Sequence, residues 1–140
     1  MIDSHQVQID LVTLLKDETT VTGLLKTTDE VREHQYMGKK YGVPAVRVHI
    51  ASNTPHITRD RCDQSTANFM ILCYAEEASS KVSQQLAKAV NDFLHEKDFA
   101  GTGYHAFIYS NGLGSPEVVG SEPALWRVTC GYFMNIYPTS

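Results

Sequence analysis

Cationic side chains are the scarcer sign in this sequence: 12 Lys and Arg stand against 16 Asp and Glu, a formal net charge of -4. A protein whose main work is to grip nucleic-acid phosphates needs Lys and Arg to neutralise them, so the balance argues against that class, although not against a wall that DNA slides past. Cysteine is scarce too. Three of them, an odd number with no C-x-x-C, make neither a disulfide framework nor a zinc site. Cys73 and Cys130 lie in apolar, strand-like runs and read as buried free thiols, Cys62 lies in a polar loop, and this usage fits a reducing compartment. No stretch approaches the ~20 apolar residues of a membrane span. The opening "MIDSHQVQID" lacks the basic start and apolar centre of a signal peptide, so synthesis and assembly in the cytoplasm are expected.

Motifs that carry chemistry are missing as well. The six histidines include no H-x-x-x-H or H-E-x-x-H spacing, and His49 and His105 would meet only if their strands paired. No G-x-S-x-G marks a nucleophile. The glycines of "GLGSPEVVG" lie between strands instead of opening a helix, which is the wrong context for a phosphate cradle. Carboxylates at 29–30, at 76–77 and at Glu117 with Glu122 read as solvated charge. No catalytic residue, metal ligand or cofactor is expected, and the chain is read as a non-enzyme.

What is present fits one globular domain over residues 1–140, with 42% hydrophobic and 20% charged residues. Ser4 is a candidate N-cap, and Val7, Leu11, Leu14 and Leu15 form one helical stripe that ends before Gly23. "PAVRVHIA" alternates as a strand with one wet face, and "ANFMILCYA" is apolar on both phases, as a covered central strand is. From 75 to 97 the period becomes helical, with Ala78, Val82, Leu86, Ala89, Val90 and Phe93 on one side. "GTGYHAFIYS" gives a third strand. Stretches 26–43, 52–65 and 110–123 are polar or glycine-containing and are expected to be long loops, the kind a compact domain keeps for function.

The closing run "ALWRVTCGYFMNIY" is strictly two-periodic: Trp126, Val128, Cys130, Tyr132, Met134 and Ile136 alternate with Arg127, Thr129, Gly131, Phe133, Asn135 and Tyr137. At about 3.3 Å per residue it spans roughly 45 Å, longer than a compact domain with a radius of gyration near ~14 Å. Trp126 is expected as a core anchor. Phe133 and Tyr137, with Phe107 and Tyr109, would lie on a bare face, either as a subunit interface or as incidental exposure. Gly131 reads either as a kink that carries the strand towards a neighbour or as an ordinary bend. The order helix, strand, strand, helix, strand, strand predicts an α+β domain: an antiparallel or mixed four-stranded sheet with helices packed on one face. A sheet with bare aromatics also allows a small binding module for single-stranded RNA or a protein partner.

Taken together, "VQIDLVTLLKDETTVTGLL", "YGVPAVRVHI", "FMILCYAEEASSKVSQQLAKAVNDFL" and "LWRVTCGYFMNIY" resemble the tail terminator and minor tail protein family of long-tailed bacteriophages over nearly the whole chain. The resemblance implies a structural virion protein located at the neck of the tail. Its copies would form a homo-oligomeric ring, usually a hexamer, that caps the tail tube protein, stops its polymerisation and receives the head completion or connector protein. Genomic DNA would pass through the ring without sequence-specific contact, and no membrane is involved. Axial contacts are expected from Arg32 and Tyr36 in the first loop and from Asn111, Leu113 and Glu117 in the last, Leu113 being either a knob for a partner pocket or an incidentally exposed leucine.

Overall fold

The computed structural model describes residues 2–33, 44–55, 64–76, 80–120 and 124–139. Helix α1 spans Ser4–Lys16; its cap is Asp3, one residue before the expected Ser4, and the Asp3 side chain accepts from the His5 N–H at 3.2 Å. The chain then makes a single turn of helix, α2 (Thr19–Thr22), a 3₁₀ turn at Thr28–Glu30, and a short strand β1 (Val31–Glu33). Two long strands follow, β2 (Ala45–Pro55) and β3 (Ser65–Glu76), then α3 (Lys81–Leu94). The remainder is all strand: β4 (Lys97–Gly101), β5 (Tyr104–Leu113), β6 (Glu117–Gly120) and β7 (Leu125–Pro138).

Among the described residues the sheet therefore has seven strands, ordered β1-β2-β3-β7-β5-β4 with β6 also on β7; β1 is parallel to β2 and the other pairs are antiparallel. This corrects the expected four-stranded α+β sheet. The molecule is mostly sheet, a mixed half-barrel that curls, with few helices. None of the three extra strands reads as a strand in the sequence; β1 lies in the expected loop 26–43. β4 starts at Lys97, the last residue of the stretch expected to be helical, and continues beyond it, and the two-residue turn Thr102–Gly103, with Gly103 at φ +80°, folds it back on β5. β6 lies in the expected loop 110–123, and β5 runs on to Leu113.

The register explains how a fourteen-residue strand is accommodated. β3 follows β7 along almost its whole length, from Ser65 opposite Ile136 to Glu76 opposite Leu125. On the other side β5 and β6 act as one interrupted strand: Tyr104 faces Pro138, Leu113 faces Cys130, Glu117 faces Arg127 and Gly120 faces Leu125. So β5, β6 and β7 form one long hairpin. The β2 ladder slips between Ile50 and Ser52, opposite Phe69 and Asn68, and the β5 ladder slips between Ser110 and Gly112, opposite Tyr132 and Gly131. Since Phe69 also pairs with Tyr132, both irregularities fall on one line across the sheet. Bulges raise local twist, and here they let long strands curl.

Inward-facing residues of the sheet meet the helices in one core. Val7, Leu11, Val12 and Leu15 of α1 and Leu86, Ala87, Val90 and Leu94 of α3 pack with Val46, Val48, Phe69, Ile71, Cys73, Val128, Cys130, Tyr132, Met134 and Ile136. Phe69 and Tyr132 stack at 5.2 Å between ring centroids, and the Tyr132 hydroxyl donates to Asn91 Oδ1 at 3.2 Å. α1 touches both ends of the sheet: the Gln8 amide donates to the Val48 carbonyl at 2.7 Å, and Asp10 accepts from the Thr102 N–H and hydroxyl, each at 2.9 Å. It lies across the opening of the half-barrel. A smaller cluster, Ala45, Leu72 and Tyr74 with Leu125, forms on the other face. The largest fully buried side chain is Arg47, whose guanidinium donates to the Glu30 carbonyl at 2.6 Å and so ties β2 to the turn before β1.

Candidate functional site

The four residues expected on the bare face all lie on the outward phase of β5 and β7. Tyr109 pairs with Phe133 in register and stacks on it at 4.9 Å and 19°, Phe107 leans on Tyr109 at 4.6 Å, and His105 pairs with Tyr137. Phe107, Tyr109 and Phe133 are half-buried by one another, and Tyr137 is 43% exposed. Their outward neighbours on β3 and β7 are short and polar: the Thr66 hydroxyl donates to Asn135 at 3.0 Å, and the Asn68 amide donates to Ser52 at 3.1 Å. At the β4 margin His105 meets Asp98 at 2.5 Å. The arrangement is an aromatic ridge on a polar, weakly charged wall.

The far end of the long hairpin is a second surface. Leu113 at 48%, Val118 at 53% and Val119 at 39% are three of the five large hydrophobic residues exposed among the described residues. Leu113 is the last residue of β5 and not a loop tip, and it faces Cys130, so it continues the inward phase beyond the helices. Val118 faces Trp126 on the same phase. Trp126, expected in the core, is half-buried and lies outside the core cluster; Tyr132 and Phe69 hold the central place. Asn111 is exposed, and Glu117 holds Arg127 across β6 and β7 through two hydrogen bonds of 3.0 and 2.5 Å. Arg32 is half-buried on β1, at the opposite edge of the sheet, so it shares no surface with Leu113. Tyr36 lies outside the described residues.

The remaining sequence candidates do not assemble into a site. β3 and β7 stand between β2 and β5, so His49 and His105 do not meet. Among the described residues no group of three or more His, Cys, Asp or Glu is placed to hold a metal ion. Cys73 and Cys130 are fully buried neighbours one step out of register, Cys73 facing Val128 and Cys130 facing Ile71. The hydrogen bond with Cys130, together with burial, pushes the Cys73 thiol well up, so it is poorly nucleophilic.

One feature has no counterpart in the sequence reading. Between α1 and β4 runs a groove of about 290 Å³, lined by Asp10, Thr13, Leu14 and Asp17 on the helix side and by Phe99, Ala100, Gly101 and Thr102 on the other. Its residues lie about ninety positions apart, as the Asp10–Thr102 separation of 92 shows, and no local pattern announces such a meeting. Val118 and Val119 were legible in principle, as two consecutive apolar residues inside a stretch otherwise rich in turn residues.

No family model and no curated protein matches this chain. Among solved structures it is similar to a chain of the virion of a native gene transfer agent particle, with a TM-score of 0.75 at 14% identity, over 96% of this chain and 96% of that one. At that identity the likeness establishes a shared fold. It runs over nearly the whole of both chains, so the shared fold takes in the sheet and its helices together.

Proposed function

We propose that this chain is a non-enzymatic structural virion protein whose copies form a ring, sixfold, at the neck of a phage-type tail, where it caps the tube, ends its growth and receives the head connector. The observation that carries the reading is the full-length likeness to a chain of a gene transfer agent virion, a phage-like particle. The surfaces support it. Tube subunits repeat one head-to-tail interface that never closes by itself, so length control calls for a protein that binds the tube end without copying that interface. Leu113, Val118 and Val119 at the exposed hairpin end suit such an axial contact, with Asn111 and the Glu117–Arg127 pair at its rim. The ridge of Phe107, Tyr109 and Phe133 with Tyr137 suits the contact between subunits.

The reading of the aromatic face as a platform for single-stranded RNA has less support. A base needs a ring face to stack on and cations to hold its phosphate, whereas these rings stack on one another among Thr, Asn, Ser and Asp side chains. The deciding experiment is electron microscopy of particles assembled without this protein. Headless or abnormally long tails are expected, and normal-length tails joined to heads would exclude the cap. Leu113→Asp should give a folded protein impaired in one axial contact.

A further inference from the structure

The groove between α1 and β4 has a property that the ridge and the hairpin end lack: one of its walls is a strand edge. Among the described residues β4 is the terminal strand of the sheet and pairs only with β5. Its last pair, Gly101 with Tyr104, flanks the two-residue turn and belongs to the hydrogen-bonded set. Alternation then turns the backbone N–H and C=O groups of Asp98 and Ala100 away from β5, and Ala100 lines the groove. An unpaired edge of this kind is a template for an added strand, and proteins that do not use one cover it. At the turn end α1 does close it, through the two Asp10–Thr102 hydrogen bonds, but towards Thr13 and Asp17 it leaves about 290 Å³ open.

Charge identifies the occupant. The residues lining the groove include two carboxylates, Asp10 and Asp17, and no cation. Asp10 accepts from Gln6 at 3.0 Å and from the Thr102 N–H and hydroxyl, which are neutral donors, and no cation lining the groove neutralises it. Between the carboxylates the surface is apolar, with Leu14 and the half-buried Phe99, which packs edge-on against Tyr104 at 6.0 Å. We propose that this groove is a strand-addition site for an extended, basic segment of a partner protein: its backbone pairs with Asp98 and Ala100, its Lys or Arg side chains reach Asp10 and Asp17, and an apolar residue between them covers Leu14 and Phe99. The formal net charge of -4 points to a partner of opposite sign and away from a second copy of this chain. The inference does not rest on the ring reading, and a test on the isolated full-length chain separates the two.

The test uses a peptide of about eight alternating Lys and Val residues, a Glu and Val counterpart, and a Lys peptide with proline at the alternate positions, titrated into the full-length protein while backbone amide shifts are followed. Strand addition predicts that the Lys–Val peptide moves the amides of Asp98, Ala100, Thr13 and Asp17. The Glu and proline peptides should move none. Ala100→Pro removes an outward N–H while keeping the β4–β5 ladder and should weaken binding at least about tenfold; Asp17→Lys should weaken it severalfold. Shifts confined to other surfaces, equal binding of the Glu peptide, or full binding by a folded Ala100→Pro protein would overturn the proposal. Should Ala100→Pro not fold, the shift map of the unaltered protein decides. A mass that rises with protein concentration and falls back in Asp17→Lys would assign the groove to a second copy and refute the basic partner.

Discussion

Partial burial pushes the Asp10 carboxyl up, but hydrogen bonds from the Thr102 N–H, the Tyr104 hydroxyl, the Thr102 hydroxyl and the Gln6 amide outweigh it, and the net displacement is below 3.8. Among the described residues the buried Tyr104 hydroxyl has no hydrogen-bond partner besides this carboxylate. A carboxyl lowered by folding contributes stability that is fully present above its unfolded value and is lost as pH falls through the lower folded one. The contribution of Asp10 should therefore disappear below 3.8. Melting curves taken down through that range should fall less steeply for Asp10→Asn than for the unaltered chain. Two glycines should part in the same assay. A methyl on Gly101 would run into the ring of Tyr104, which is only 1% exposed and has nowhere to go, so Gly101→Ala should cost about 1–3 kcal/mol. A methyl on Gly131 would meet Asn111 at 3.7 Å and the Gly112 carbonyl at 3.9 Å, ordinary contacts, so Gly131→Ala should stabilise by about 0.5–1 kcal/mol. Cys73 and Cys130, both buried, should react with a thiol reagent only after denaturation.

At the scale of elements, the two-phase reading of β7 can be checked by truncation. Tyr132→Ala empties a site that is 1% exposed and should cost about 3–5 kcal/mol by denaturant unfolding, whereas Trp126→Ala, at a half-buried position on the hairpin end, should cost clearly less. Equal losses would mean that the hairpin end is packed as tightly as the centre. The comparison also marks what the sequence can and cannot disclose. β7 was legible almost to the residue, 124–137 expected and Leu125–Pro138 found, because a strict period of two over that length has no helical counterpart. β4 and β6 were not. "KDFAG" and "EVVG" are too short to establish a period, and each is made a strand by a partner elsewhere in the chain, β5 for one and β7 for the other. The fold class went wrong for that reason: with these two and the three-residue β1 all unrecognised, a seven-stranded half-barrel reads as a four-stranded sheet. The ridge was legible for the opposite reason, since Phe107, Tyr109, Phe133 and Tyr137 follow from phase alone.

For the whole molecule, the ring reading predicts that mass measured across a concentration series, with and without tail tubes, shows oligomers in at least one condition, and that Phe133→Ala weakens them while the chain stays folded. A strict monomer indifferent to tubes would leave the ridge without a partner. The closure of the half-barrel by α1 bears on the order in which the chain is finished. α1 leaves the ribosome well before its seat is complete: Thr102, which Asp10 must hold, is made 92 residues later, and Val48 comes 40 residues after Gln8. Synthesis proceeds at roughly 5–20 residues per second, so the helix waits several seconds for the second half of its seat. During that time its apolar stripe, Val7, Leu11 and Leu15, has no completed core to enter. A helix made early is thus among the last elements to be locked, and in that interval its apolar stripe is open to whatever shields an amphipathic helix.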